Sequence, residues 1–156
     1  MEFPKRKHNR LSADLYCVPG AYFITICVSE RQKLLWRNDK ETLTHDIPLS
    51  EIGMIVQEHI IDIPSHYAGS IVVQKYVIMP NHVHILLSSH NADDRACPDI
   101  RQVIRAFKGS VSKHVGRSIW QKGFFDRIVR DMNEYDTIWK YIDENPIKWQ
   151  LDKYYV

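Results

Sequence analysis

The stretch that decides the fold of this chain is residues 70–88, SIVVQKYVIMPNHVHILLS. Two runs rich in β-branched residues, 70–79 and 82–88, flank the turn pair Pro80-Asn81, and this pattern predicts two antiparallel strands. In the second run the apolar residues alternate with His82 and His84. Because side chains two apart on a strand share a face, the strand should present both imidazoles on one face and anchor the other in the core. The anchoring residues are Val83, Ile85 and Leu87.

Two further strands and three helices are predicted around this hairpin. The strands cover 21–29 (AYFITICVS) and 124–129, and the helices cover 50–63, 99–115 and 133–145. Ser50 and Asn133 are the predicted N-caps and Gly116 is the predicted C-cap residue. Pro64 and Pro146 end the first and the last helix.

The resulting element order is β-α-β-β-α-β-α. It predicts an α+β fold, a ferredoxin-like sandwich with an antiparallel sheet, helices on one face and one extra C-terminal helix. We expect a single domain over 1–156, which begins with a basic, irregular segment over 1–20 that closes at a Pro19-Gly20 turn. The polar stretch 89–98 is predicted to be a loop.

The composition excludes several classes of protein. A chain of 156 residues that is 44% hydrophobic and 26% charged can form one globular core and is not a low-complexity disordered protein. The three cysteines show no zinc-like spacing, and they suit a reducing cytoplasm. No apolar run approaches the roughly 18 residues of a membrane span, so we expect a soluble intracellular protein.

The net charge of +2 hides an uneven distribution. Residues 1–10 are basic and residues 100–117 contain no acid, whereas residues 131–144 hold five acids and one lysine. Arg101, Arg105 and Lys108 have the spacing of one helix face. That face is either simply solvated or binds phosphates. The acidic stretch is expected to keep phosphates away from the last helix except where a metal bridges them.

The histidine pair His82-Val83-His84 suits a metal site on a strand. The alternative is that both side chains decorate a half-solvated strand, but burying them without partners costs free energy. Other histidine enzymes do not fit. A histidine-triad hydrolase needs a third histidine where Leu86 stands, and a two-motif phosphoesterase needs a second His-x-Ser/Thr, which is absent. The sequence also contains no G-x-S-x-G elbow and no phosphate-binding glycine loop.

The last predicted helix carries Tyr141 and Asn145, one turn apart on the same face. A deprotonated phenol is a competent nucleophile, and an amide oxygen is a competent ligand for a hard metal ion. Tyr135, Tyr154 and Tyr155 are weaker nucleophile candidates. A nearby lysine or the metal ion is expected to deprotonate the tyrosine.

Three motifs in order give the sequence a family resemblance. They are MPNHVHILL (79–87), WQKGFFDRIVRD (120–131) and YIDENPIK (141–148), preceded by GAYFITI (20–26). Together they resemble the single-tyrosine HUH transposases of the IS200/IS605 type, and within that group the REP-associated tyrosine transposases. The match covers about residues 10–151.

The resemblance implies a role for each matched residue. His82, His84 and Asn145 correspond to ligands of a divalent metal, Mg²⁺ or Mn²⁺, and Tyr141 corresponds to the catalytic nucleophile. Such enzymes cleave single-stranded DNA at hairpins through a 5′-phosphotyrosine intermediate and rejoin it. They act as homodimers or as monomers. The residues expected to contact DNA are Lys5, Arg6, Lys7, Arg10, Arg101, Arg105, Lys108, Lys113 and Arg127.

Two other functions remain open from the sequence. One is a non-catalytic module that binds hairpins of single-stranded nucleic acid. The other is a metal-dependent phosphoester hydrolase that uses water as its nucleophile.

Overall fold

A computed structural model of the chain describes residues 13–37, 47–91, 97–152 and 154. The strands in these residues are β1 (Gly20–Cys27), β2 (Ile71–Ile78), β3 (His82–Ser89) and β4 (Phe125–Val129). The helices are α1 (Glu51–Asp62), α2 (Ile100–Val115) and α3 (Met132–Glu144). Short 3₁₀ helices cover Ala13–Cys17, Ser29–Arg31, Ile63–His66 and Trp149–Leu151.

The four strands form one antiparallel sheet in the order β2-β3-β1-β4. Strand β3 therefore lies between β1 and β2, and β1 lies between β3 and β4. The chain consists of two interleaved β-α-β units whose strands are separated by one strand of the other unit, which is the ferredoxin-like arrangement. The predicted α+β fold class is confirmed.

The two faces of the sheet carry different elements. Helix α1 lies on the face of Tyr76, whose hydroxyl accepts a hydrogen bond from the Gln57 side chain at 3.1 Å, and α2 packs beside α1. Helix α3 lies on the opposite face, where Asp143 pairs with Lys75 of β2 at 3.0 Å. The extra C-terminal helix thus covers the face to which the histidines of β3 point.

The helix boundaries follow from the side chains at their ends. The Ser50 hydroxyl accepts a hydrogen bond from the Gly53 amide at 3.0 Å, as predicted for an N-cap. Helix α2 ends at Gly116, whose φ of 92° places it in the left-handed region that favours glycine. The apolar stripe of α2 is buried throughout and consists of Ile100, Val103, Ile104, Phe107 and Val111.

Three local predictions need correction. The N-cap of α3 is Asp131 and not Asn133, because Asp131 accepts from the Glu134 amide at 2.8 Å while Glu134 accepts from the Arg130 amide at 3.2 Å. These two hydrogen bonds resemble a capping box, except that Glu134 accepts from the residue before the cap. Strand β1 ends at Cys27, before the left-handed residues Glu30 and Arg31. The 3₁₀ helix at Ala13–Cys17 interrupts the segment that was expected to be irregular.

No helix among the described residues combines the length and the apolar character that crossing a bilayer requires.

Two glycines, one in α1 and one in α2, give a matched test of how tightly α1 packs against the rest of the protein. A Cβ on Gly53 of α1 would lie 2.1 Å from the carbonyl oxygen of Leu35, whereas a Cβ on Gly109 of α2 would meet nothing within 4 Å. We expect Gly53→Ala to lower the free energy of unfolding by about 1–3 kcal/mol or more through overpacking. Gly109→Ala should leave it unchanged or raise it by up to about 1 kcal/mol. Urea unfolding of both variants measures the difference, and equal effects would contradict the α1 packing.

Candidate active site

Strand β3 holds both histidines in the interior of the protein. It lies between two other strands, and all eight of its residues are buried. The exposed fraction is 0% for His82 and 1% for His84. The alternative that these side chains decorate a half-solvated strand is therefore wrong. Two imidazoles at this depth need polar partners to offset the loss of solvent.

Asn81, which precedes the two histidines, orients His82. Its Nδ2 donates to the backbone carbonyl of Tyr154 at 2.8 Å, which assigns its Oδ1 as the atom that faces His82 Nδ1 at 2.8 Å. Because Asn81 Oδ1 can only accept, the proton of the imidazole lies on Nδ1. The lone pair of His82 is then on Nε2, and this arrangement is typical of metal-binding histidines.

His84 is oriented in a comparable way by the neighbouring strand. Thr25 of β1 is its direct cross-strand partner, and the Thr25 hydroxyl lies 2.8 Å from His84 Nδ1. Phe23 stacks on the imidazole with ring centroids 5.2 Å apart and an interplanar angle of 25°. These contacts direct His84 Nε2 to the same point as His82 Nε2.

The two Nε2 atoms lie 3.2 Å apart. Two ligand atoms that bind the same divalent ion at about 2.1 Å lie about 3.0–3.4 Å from each other, depending on whether the angle at the ion is octahedral or tetrahedral. Two lone pairs at this distance repel each other unless a proton or a cation lies between them. The pair therefore has the spacing of adjacent ligands of one metal ion.

Helix α3 brings Tyr141 to this point. The Tyr141 hydroxyl lies 3.5 Å from His84 Nε2, and its ring packs edge-on against Phe23 and His84. Burial raises the pKa of Tyr141, a hydrogen bond from the Asn145 side chain opposes that rise, and the charge of Asp152 adds to it. The side chain nevertheless remains 37% exposed. Tyr141 is thus a neutral phenol that a substrate can reach from solvent.

Asn145 lies one turn after the tyrosine and is only 3% exposed. Its Nδ2 donates to the Tyr141 carbonyl at 3.3 Å, while its Oδ1 accepts no hydrogen bond from any residue that the structure describes. A buried acceptor of this kind is costly to leave unsatisfied. An amide oxygen is a suitable ligand for a hard cation. The chemistry of Asn145 therefore fits the role that the sequence predicted.

Sequence reasoning missed a carboxylate beside the histidines. Asp152 is 7% exposed, and its Oδ2 lies 3.8 Å from His82 Nε2. Ligand atoms of His82, His84 and Asp152 all lie within 4.8 Å of one another, a grouping that could hold a metal ion. No local motif announces Asp152, because it enters the site through the turn that follows α3.

A second tyrosine also lies near the histidines. The Tyr154 ring is 4.4 Å from the His82 ring and 6.1 Å from the His84 ring. Tyr154 is only 3% exposed, however, and burial raises its pKa well above that of an ordinary phenol. The Tyr135 ring stacks on the Trp139 ring, with the ring centroids 6.0 Å apart. Tyr155 lies outside the described residues.

The basic residues of α2 line a cavity of about 680 Å³. The cavity lies between α2 and the segment 118–124, and Arg101, Arg105 and Lys108 all contribute to its wall, so they do share a surface. Lys122 adds a further positive charge, and Trp120 and Phe124 add aromatic surface. The cavity can thus accept a phosphate together with an unpaired base.

Several of the predicted DNA contacts have partners within the protein. Arg101 pairs with Asp99 at 2.7 Å and lies over the Tyr16 ring. Lys108 donates to the carbonyl groups of Gln121 and Gly123 at 2.9 and 2.7 Å, which holds the segment 118–124 in place.

The other predicted contacts lie elsewhere. Arg127 of β4 pairs with Glu134 of α3 on the histidine face of the sheet. Lys113 is exposed near the end of α2. Four positions lie outside the described residues, namely Lys5, Arg6, Lys7 and Arg10.

The known proteins most relevant to this geometry are two solved transposase structures. A REP-associated tyrosine transposase, solved with a REP hairpin, has a TM-score of 0.66 at 22% identity over 96% of this chain and 77% of that chain. A candidate transposase from Deinococcus radiodurans has a TM-score of 0.51 at 15% identity over 90% of this chain and 97% of that chain. The chain has the fold of both proteins, which is consistent with the resemblance to the IS200/IS605 family.

Comparison of sequences finds a relative that is itself uncharacterized. An uncharacterized protein of Haemophilus influenzae is 27% identical over 173 aligned positions, which cover 97% of this chain and 93% of that protein. No family model matches the chain.

The contact between Thr25 and His84 can be tested by substitution. We expect Thr25→Val to weaken binding of a divalent metal by about 10–100-fold, because the imidazole loses the partner that directs its Nε2. Isothermal titration of the full chain with Mn²⁺ measures the effect. Thr137→Val, which removes an exposed hydroxyl on α3 that donates to the Asn133 carbonyl, is the control and should bind as the wild type does. Equal affinities would exclude this role for Thr25.

Proposed function

We propose that this chain is a single-tyrosine HUH transposase of the IS200/IS605 type. It would nick and rejoin single-stranded DNA at hairpins with a divalent metal and a phosphotyrosine intermediate. The observation that carries the proposal is the contact of the Tyr141 hydroxyl, 3.5 Å from His84 Nε2, with a nitrogen pair of metal-ligand spacing. The likeness to two transposase structures supports a transposase role.

The residues that would hold the metal are His82, His84 and Asn145. The two imidazole Nε2 atoms and the buried Asn145 Oδ1 offer one set of nitrogen and oxygen donors. Mg²⁺ prefers oxygen ligands, whereas Mn²⁺ also accepts imidazole. When bound, such an ion supplies positive charge that polarises the scissile phosphate and favours the phenolate.

Tyr141 performs the bond exchange. Its phenolic proton is released, its oxygen attacks phosphorus in line, and a bond from tyrosine to the 5′-phosphate forms while the bond from phosphorus to the 3′-oxygen breaks. The 3′-oxygen takes up a proton and leaves as a hydroxyl. Because one phosphoester replaces another, the free 3′-hydroxyl can reverse the step without an external energy source.

Burial separates the two tyrosines near the site. Tyr141 is 37% exposed, so a DNA phosphate can approach it, whereas Tyr154 is closed off at 3%. Ionisation of Tyr154 is also opposed more strongly by its surroundings. Since Tyr141 contacts the histidines of its own chain, we propose that the tyrosine acts in cis, as it would in a monomer.

The DNA partner would be a single strand that folds into a hairpin. The REP-associated tyrosine transposase was solved with a REP hairpin, and the cavity at α2 offers this chain cations and aromatic rings that suit phosphates and unpaired bases. Within it, Arg105 and Lys122 are the cations best suited to phosphate contacts, because Arg101 and Lys108 already serve Asp99 and the 118–124 segment.

Covalent trapping tests the nucleophile. Incubation with a panel of labelled single-stranded hairpins and Mn²⁺ should give a protein-linked DNA band on a denaturing gel, and Tyr141→Phe should abolish it. Tyr135→Phe is the matched control on the same helix and should keep the band. An adduct that survives Tyr141→Phe but not Tyr154→Phe would move the nucleophile to Tyr154.

Two results of the same experiment would favour the other functions. Salt-sensitive binding without metal-dependent cleavage of any hairpin indicates a binding module. Cleavage that turns over without an adduct and survives the loss of every C-terminal tyrosine indicates a hydrolase that uses water.

The basic cavity predicts a salt effect on hairpin binding. Arg105→Ala should weaken hairpin binding and reduce the slope of log K against log salt by roughly 0.7–0.9, the value for one lost phosphate contact. Lys140→Ala on α3 also removes one positive charge, that of a lysine whose Nζ lies 3.9 Å from Glu144 Oε1. It should not change the slope. Fluorescence anisotropy at several salt concentrations measures both, and an unchanged slope for Arg105→Ala would remove the cavity from the DNA path.

A further inference from the structure

The segment after α3 folds back against His82. The rings of Trp149 and Tyr154 lie 6.1 and 4.4 Å from the His82 ring. The Tyr154 carbonyl accepts the Asn81 amide at 2.8 Å, so the residue that orients His82 also fastens this segment. The turn after α3 is therefore part of the wall of the site.

Asp152 is the charged group that this turn carries into the protein. Its side chain is 2% exposed. Its Oδ1 accepts the Tyr154 amide at 2.8 Å, while its Oδ2 is the oxygen that lies 3.8 Å from His82 Nε2. Carboxylates at this depth are usually paired with a cation or coordinate a metal ion.

The predicted ligand set contains no negatively charged side chain. His82, His84 and Asn145 offer two neutral nitrogens and one neutral oxygen. Hard divalent ions in proteins are normally bound through at least one carboxylate, which attracts the ion and offsets part of its charge. Asp152 is the carboxylate whose ligand atom lies within 4.8 Å of the ligand atoms of both histidines.

We propose that Asp152 is itself a ligand of the divalent ion bound by His82 and His84, through its Oδ2. This inference rests on the proposed function, since it concerns the same metal. The carboxylate binds through one oxygen because the other is held by the Tyr154 amide. A DNA phosphate would approach from the side of Tyr141, whose hydroxyl lies 3.5 Å from His84 Nε2 and whose side chain is partly exposed.

Metal binding measured without DNA tests the inference. Asp152→Asn keeps the shape of the side chain and removes its charge, so Mn²⁺ binding by the full chain should weaken at least 10-fold in isothermal titration. Asp136→Asn is the control, because Asp136 is an exposed aspartate on α3. It should bind Mn²⁺ as the wild type does. Equal affinity of Asp152→Asn and wild type would overturn the proposal.

A second variant should produce a new absorption band, so that the test does not depend only on a loss of metal affinity. Asp152→Cys places a thiol where the carboxylate lies, and Cd²⁺ should then produce an ultraviolet thiolate charge-transfer band that the wild type, with its three native cysteines, lacks. The absence of a new band in a folded variant would contradict the proposal.

The outcomes distinguish this inference from the proposed function. If the wild type and Asp152→Asn bind Mn²⁺ equally while His84→Ala does not bind it, only the assignment of Asp152 fails. If the wild type does not bind Mn²⁺ at all, the metal-dependent function fails with it.

Discussion

The convergence of His82 Nε2 and His84 Nε2, 3.2 Å apart in the interior of the sheet, is the constraint on which the rest of the site depends. Burial makes the pair costly unless each Nδ1 has a partner, and Asn81 and Thr25 provide them. Thr25 can do so only because β1 pairs with β3 in a register that places it opposite His84. The register of the central strands thus fixes the direction of both lone pairs.

The topology gives the site its second component. Because both β-α-β units place their helices on one face, the histidine face is left for α3, and α3 brings Tyr141 and Asn145 to it. The pair of Lys75 and Asp143 ties α3 to the edge strand β2 at 3.0 Å. A ferredoxin-like sheet with one added helix is therefore sufficient to place a tyrosine hydroxyl beside two converging imidazoles.

Local sequence patterns predicted most of the fold and half of the site. Alternation on β3 predicted that His82 and His84 share a face, and helical spacing predicted that Tyr141 and Asn145 do. The cap of α3 was misplaced because Asn133 and Asp131 are both good cap residues, and the structure identifies Asp131 because its carboxylate accepts from the Glu134 amide. Asp152 could not be predicted, since its position depends on how the turn after α3 folds against His82.

The charge pattern has a different meaning in three dimensions. The acidic stretch over 131–144 was expected to repel phosphates from α3, but its acids are largely paired: Asp143 with Lys75, Glu144 with Lys148 and Glu134 with Arg127. The carboxylate that acts on Tyr141 is instead Asp152, which raises the pKa of the phenol. A cation bound between this carboxylate and the imidazoles would offset that effect. Burial is therefore the main cause of the raised pKa of Tyr141, and the charge that adds to the rise is that of one buried aspartate and not the sum over the helix.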